Sequence, residues 1–315
     1  MRRDAYAADP TVVRLGAGDL RAVVVPGRGA EMAELEVSGR QVLSRTPWER
    51  RPAVPAAEES DWLGAWGGGW QVLFPSAGRA GVADGRWHPF HGACSQAPWT
   101  LRACDHATVT LCWAYDGWDL KRRVILSEHA VRVETEAINA TPRARPAVAV
   151  EHLTFGDDLL AAGPLYLRSG PCDLQVLDGD GAPAGTLRRW PIGAGAEDWS
   201  LVPAVGPASR FGSLIGLGDT SLELRLADLE LRVRWDPSLP YLWYWLELEA
   251  TSQAPWNGST RALGLEPASY PHGLGLARAR QDGSARMIGA GETWSWFVEI
   301  TAAGTAPRTL RSRGA

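Results

Sequence analysis

The sequence predicts an all-β protein, a large β-sandwich of antiparallel sheets with few or no helices. Three observations predict it. Apolar and polar residues alternate with a period of two in many short runs. Thirty-five glycines and 22 prolines punctuate those runs as turns. No window of about ten or more residues sustains i, i+3, i+4 apolar spacing behind a capping residue. Strands of this kind bury one face each, which two sheets packed face to face satisfy. No change of composition, charge block or linker divides the chain, so the expectation is a single domain over residues 1–315.

In order along the chain, LRAVVV (20–25) and MAELEV (32–37) read as two strands around the turn PGRGAE, and QVLS (41–44) follows a tight turn. TVTLCWAY (108–115), LKRRVIL (120–126) and AVRVETEA (130–137) form a ladder, with Asp116-Gly117 marking the first turn and residues 127–129 the second. A Pro-rich stretch then leads to AVAVEHLTF (147–155). Further strands are expected at 165–168, 174–177, 213–217, 222–226, 229–235, 241–248, 262–267 and 293–300. Residues 47–69 and 179–207 are rich in Pro, Gly and Ala and read as long loops, which in a compact protein are more often functional than idle.

Composition narrows the function. With 32 basic against 36 acidic residues the net charge is −4, so no basic excess is available to hold a nucleic-acid backbone. Apolar runs such as YLWYWL (241–246) fall well short of the ~20 residues that span a bilayer. The first ten residues carry basic character with no apolar stretch behind it, so no leader is expected and the chain reads as cytoplasmic. Cys94, Cys104, Cys112 and Cys172 show no metal-ligand spacing and read as free, mostly buried thiols. Sixteen tryptophans against five phenylalanines is the strongest bias. Indoles fill cores, and they also stack on the C–H faces of sugars. Trp66, Trp70, Trp99, Trp243 and Trp245 are candidates for that stacking, and Arg28 and Arg123 for an acidic substituent on a ligand. Trp243 and Trp245 share a strand face and stand or fall together.

Three ionisable residues stand out by position. His91 lies in the Gly/Pro-bounded loop WHPFHGACSQAPW, after GAWGGGWQVLFPSAG. His152 sits within a strand beside Glu151, where an ionisable pair is expensive to bury without a partner or a task. Glu266 follows ALGL and precedes Pro267, closing a strand at its mouth.

These residues resemble, in order, motifs of the aldose 1-epimerase (galactose mutarotase-like) superfamily. GGGWQVLFPSAG followed by HPFHGACSQAPW is similar to its "GGW…LFP-x-AG…HG…PW" block. RGAEMAELEVSGRQVL resembles its opening hairpin, LKRRVIL and AVRVETEAINAT its pair of strands ending in N-x-(G/T), and AVEHLTFG the "H-P-x-F-G" that follows. SLPYLWYWLEL, LGLEPASYP and GAGETWSWFVEI resemble its late strands. The resemblance implies a supersandwich fold with a Trp-lined sugar cleft. It also implies His91 and His152 as the two active-site histidines, Glu266 as the glutamate, and no cofactor or metal. Two positions depart from the pattern. Leu153 stands where proline usually follows the second histidine, and Cys94, Ser95 and Gln96 occupy the stretch that often holds an arginine.

Interconverting the anomers of a free sugar needs one group to take the C1 hydroxyl proton while another protonates the ring oxygen. The expectation is Glu266 as base, His152 as acid on the opposite side of the ring, and His91 as a donor to the ring oxygen. Glu151 should point to the other face of the sheet. Tyr270, near Glu266, is the one local residue that suits a lyase instead. The expected partner is a small-molecule sugar, with neither nucleic acid nor membrane, and the chain a monomer or homodimer. A carbohydrate-binding or regulatory protein of the same fold, without turnover, is the alternative reading.

Overall fold

A computed structural model describes residues 12–48 and 55–303. The first ten residues, read above for a leader, and residues 49–54 of the first long loop lie outside that set.

Among the described residues two antiparallel sheets dominate, one of 11 strands and one of nine. The smaller sheet holds the ladder Thr108–Tyr115, Trp118–Leu126 and Ala130–Asn139, continued by Thr293–Ala303 and Glu230–Trp235. Its alternation is clean. Leu120, Arg122, Val124 and Leu126 are buried against the larger sheet, while Lys121 and Arg123 face outward and pair across the strands with Glu136 and Glu134. Arg123 is thereby engaged on the far side of the sandwich from any cleft, which corrects its candidacy for ligand binding.

The centre of the larger sheet runs Trp70–Leu73, Val150–Phe155, Arg261–Ala268, Tyr241–Leu248 and Ala208–Ile215. The first four of these strands are largely buried on both faces, and their alternate residues enter two different cores. Leu153, Phe155, Leu263, Leu265, Leu242, Tyr244 and Leu246 join the core between the sheets. Val150, Ala268 and Trp243 belong to a second cluster on the outer face, with Trp62, Trp66 and Tyr270.

Parity explains Glu151. It points between the sheets, where Arg122 from the smaller sheet makes two hydrogen bonds to its carboxylate, both 2.9 Å. The indole N–H groups of Trp70 and Trp296 each donate to it at 2.8 Å, and Thr135 donates at 3.2 Å. A buried carboxylate survives only when its lone pairs are met in this way.

Several expectations need correction. Residues 47–69 are not wholly loop, since Glu59–Ala65 is a helix. Trp62, Leu63 and the following Trp66 are its buried side, Glu59 and Asp61 favour its N-terminal end, and at seven residues it is too short to show periodicity. A four-residue helix, Asp157–Leu160, and the helix Gly275–Gln281 add to it. The strand expected at 213–217 begins at Ala208, and the strands Val13–Ala17, Trp70–Leu73 and Thr100–Cys104 were not anticipated. Cys94 and Cys172 are buried free thiols, whereas Cys104 is exposed. Among the described residues no helix is long and apolar enough to cross a membrane.

Candidate active site

On the outer face of the larger sheet one cross-strand row collects the polar residues. Gln71 lies opposite His152, and Trp243 opposite Glu266 and Ser213. The register that pairs Val150 with Ala268 and Thr154 with Gly264 sets His152 against Glu266. Side chains directly opposite in an antiparallel pair stand ~4.5–5.5 Å apart at Cβ. The sheet register alone therefore brings the imidazole and the carboxyl together, His152 Nε2 lying 3.6 Å from Glu266 Oε1. The carboxyl leans over Gly264, where a Cβ would collide with Oε1, so glycine leaves the room it needs.

His91 reaches the same spot from a loop. Its backbone is left-handed, with φ 59°, an uncommon and strained state for a histidine. Gly78 holds it there from both sides: the His91 N–H donates to the Gly78 carbonyl, and the Gly78 N–H donates to His91 Nδ1, each at 2.9 Å. A lone pair used at Nδ1 leaves the neutral ring with its proton on Nε2, so His91 is a fixed donor. Trp62 lies edge-on against both imidazoles, its ring centroid 4.5 Å from that of His91 and 5.4 Å from that of His152. Trp66 meets His152 at 5.5 Å.

These groups line one cleft of about 760 Å³, bounded by the helix Glu59–Ala65, the loops around Gly78 and Gly179, and the segment after Tyr241–Leu248. Burial dominates its electrostatics. It pushes the Glu266 carboxyl well above the usual carboxylate range, the His152 imidazole down to about 4, and His91 well below an ordinary histidine. Both members of the close pair are nearly enclosed, at 6% and 3% exposure, yet both line the cleft.

Of the residues singled out from sequence, His91, His152, Glu266, Trp66, Trp243 and Trp245 all line this cleft. Three do not. Trp70 is wholly buried between the sheets and spends its N–H on Glu151. Trp99 packs in the same core, stacked at 6.1 Å on Trp113. Arg28 lies 3.8 Å from Glu31, outside the cleft lining. Strand parity decides Trp70, and no sequence signal fixed that parity for a strand that does not alternate. Tyr270 donates its hydroxyl to Asp282 at 2.9 Å and does not line the cleft, which removes the lyase candidate. The imidazole and carboxyl also stand side by side, not on opposite flanks. Sequence reading missed Trp62, Phe90, Phe211 and Trp256, all of which line the cleft. The spacing of Trp62 and Trp66 in DWLGAW, one helical turn apart, was the available signal for the first. Among the described residues no cluster of three His, Cys, Asp or Glu is placed to hold a metal ion.

No protein-family model matches the sequence, and no curated protein sequence does. Solved structures do match. A candidate aldose 1-epimerase from Escherichia coli K12 superposes with a TM-score of 0.70 at 13% identity, covering 94% of this chain and 99% of its own. A galactose mutarotase related enzyme from Lactobacillus acidophilus gives 0.68 at 14% identity, over 94% of this chain and 98% of that one. A galactose mutarotase-like protein from Clostridium acetobutylicum gives 0.67 at 15%, over 93% and 95%. At such identities the likeness is one of fold, and the chain adopts the all-β sandwich of the galactose mutarotase-like proteins.

Proposed function

We propose that this cleft interconverts the anomers of a free aldose by general acid–base catalysis. The observation that carries the proposal is the Glu266–His152 pair, 3.6 Å apart on the floor of a Trp-lined cleft. Ring opening removes a proton from the C1 hydroxyl and delivers one to the ring oxygen. Both oxygens are bonded to C1, so the two catalytic groups must be neighbours, and a pair in near contact suits them better than groups on opposite flanks.

Glu266 is the base at the C1 hydroxyl and His152 the acid at the ring oxygen, while His91 Nε2–H donates to the oxygen that loses its bond. Burial opposes charge on both members of the pair, so in the empty cleft the shared proton favours the carboxyl. A bound sugar reverses that preference. Its hydroxyl donates to the carboxylate, its ring oxygen accepts from the imidazolium, and each hydrogen bond favours the charged form. After rotation about the C1–C2 bond the same groups exchange roles and close the ring on the other face, leaving the enzyme unchanged.

Acid–base assistance of this kind is worth roughly 10²–10⁴-fold. His152→Ala and Glu266→Gln should each lose most of that enhancement, read by polarimetry or by exchange NMR across a panel of aldoses. Saturation-transfer contacts without anomer exchange in the wild-type protein would instead identify a sugar-binding protein.

A further inference from the structure

The cleft is longer than one sugar. The outward residues of Tyr241–Leu248 that line it are Trp243, Trp245 and Glu247. At ~3.4 Å per residue they carry the floor ~14 Å along the strand, away from the row that holds His152 and Glu266. A hexopyranose has about twelve non-hydrogen atoms; even at the ~30 Å³ that a water molecule takes up in the liquid, it fills ~360 Å³ at most. That is less than half of the roughly 760 Å³ present.

The far end has its own chemistry. Trp256 forms ring contacts with Trp48 at 5.3 Å, Trp245 at 5.5 Å and Trp66 at 6.3 Å, and it remains partly exposed while lining the cleft. Beside this aromatic wall lie Ser209, Thr251 and Glu247. Glu247 accepts from the N–H groups of Ala250 and Thr251 and from the Thr251 hydroxyl. That ties the segment bearing Trp256 to the floor, and it leaves the carboxylate one further acceptor position. A flat aromatic face next to hydroxyl and carboxylate groups suits the apolar and polar faces of a second pyranose.

We infer that the Trp245–Trp256 end of the cleft is a second sugar subsite, and that the substrate is a reducing disaccharide or longer oligosaccharide. This rests on the anomerase reading. A free C1 hydroxyl must lie at Glu266, so the chain grows from a non-anomeric hydroxyl of the reacting ring toward Trp256.

The test compares exchange rates, as kcat/KM from NMR, for glucose and galactose with those for maltose, cellobiose and lactose. At least one disaccharide should exceed both monosaccharides by roughly tenfold, the size of one stacking contact. Trp256→Ala should cut that ratio to near unity, and Trp256→Phe, which keeps a stacking face, should retain most of it. Thermal melts establish that both variants are folded. If the monosaccharides exchange as fast as every disaccharide, the subsite is refuted and the anomerase reading stands. If no sugar exchanges while disaccharides bind more tightly than monosaccharides in saturation-transfer NMR, the anomerase reading falls and the second ring site survives. Absence of binding by all five sugars overturns both.

Discussion

At the scale of single residues, the proposed chemistry turns on one proton shared by two groups. Below about pH 4 His152 takes a second proton, and the pair has no base left. Above the raised value of Glu266 the pair has no proton to give. A bell-shaped kcat/KM profile is expected, its acid limb near pH 4 and its alkaline limb above the ordinary carboxylate range, the two limbs belonging to the pair as a whole. The same shift bears on stability. A carboxyl whose folded value lies above its unfolded one favours folding while protonated, and that contribution is lost as pH rises from 4.5 through the folded value. Glu266→Gln escapes the loss, so above neutrality its melting temperature should exceed that of the wild type even as activity disappears. A variant that melts lower at pH 8 would contradict the assignment of a desolvated carboxyl.

Among the elements, the strands Trp118–Leu126 and Val150–Phe155 show how neighbours in sequence differ in consequence. Arg122 and Arg123 are adjacent, but only the first is buried on a charged partner. Arg122→Met should cost ~3–5 kcal/mol in denaturant titrations, because it strands the Glu151 carboxylate, and adding Glu151→Gln, which removes the charge but keeps an acceptor for the indole N–H groups, should recover part of it. Arg123→Met removes a solvent-exposed pair and should cost under ~1 kcal/mol. The contrast also explains what the sequence made legible. Strands with one solvated face, such as the ladder of the smaller sheet, alternate and were readable. Trp70–Leu73 is buried throughout, shows no alternation, and carries Gln71 to the side of His152 unannounced. His91, His152 and Glu266 were legible through motif resemblance and local position. Their contact was not, because it depends on a register between strands more than a hundred residues apart. Trp256 was missed for a related reason: it lies on a loop with no periodicity, and only the folded chain brings it over the floor.

Across the whole molecule, the 11-stranded sheet serves as a wall between the core and the cleft, and strand parity decides which side receives each residue. Inserting one residue between Glu151 and His152 should therefore abolish folding, since it would offer the imidazole to the core. One inserted after Gly218, exposed on a bend where an added Cβ meets nothing, should leave the melting temperature nearly unchanged. Circular dichroism on the two insertion variants checks the pair. Because Glu151 braces the two sheets while its neighbour His152 lines the cleft, the candidate site and the cohesion of the fold are welded into one strand. The proposed activity then has no loosened, idle form of the fold to pass through on heating: the loss of anomer exchange and the melting curve should superimpose.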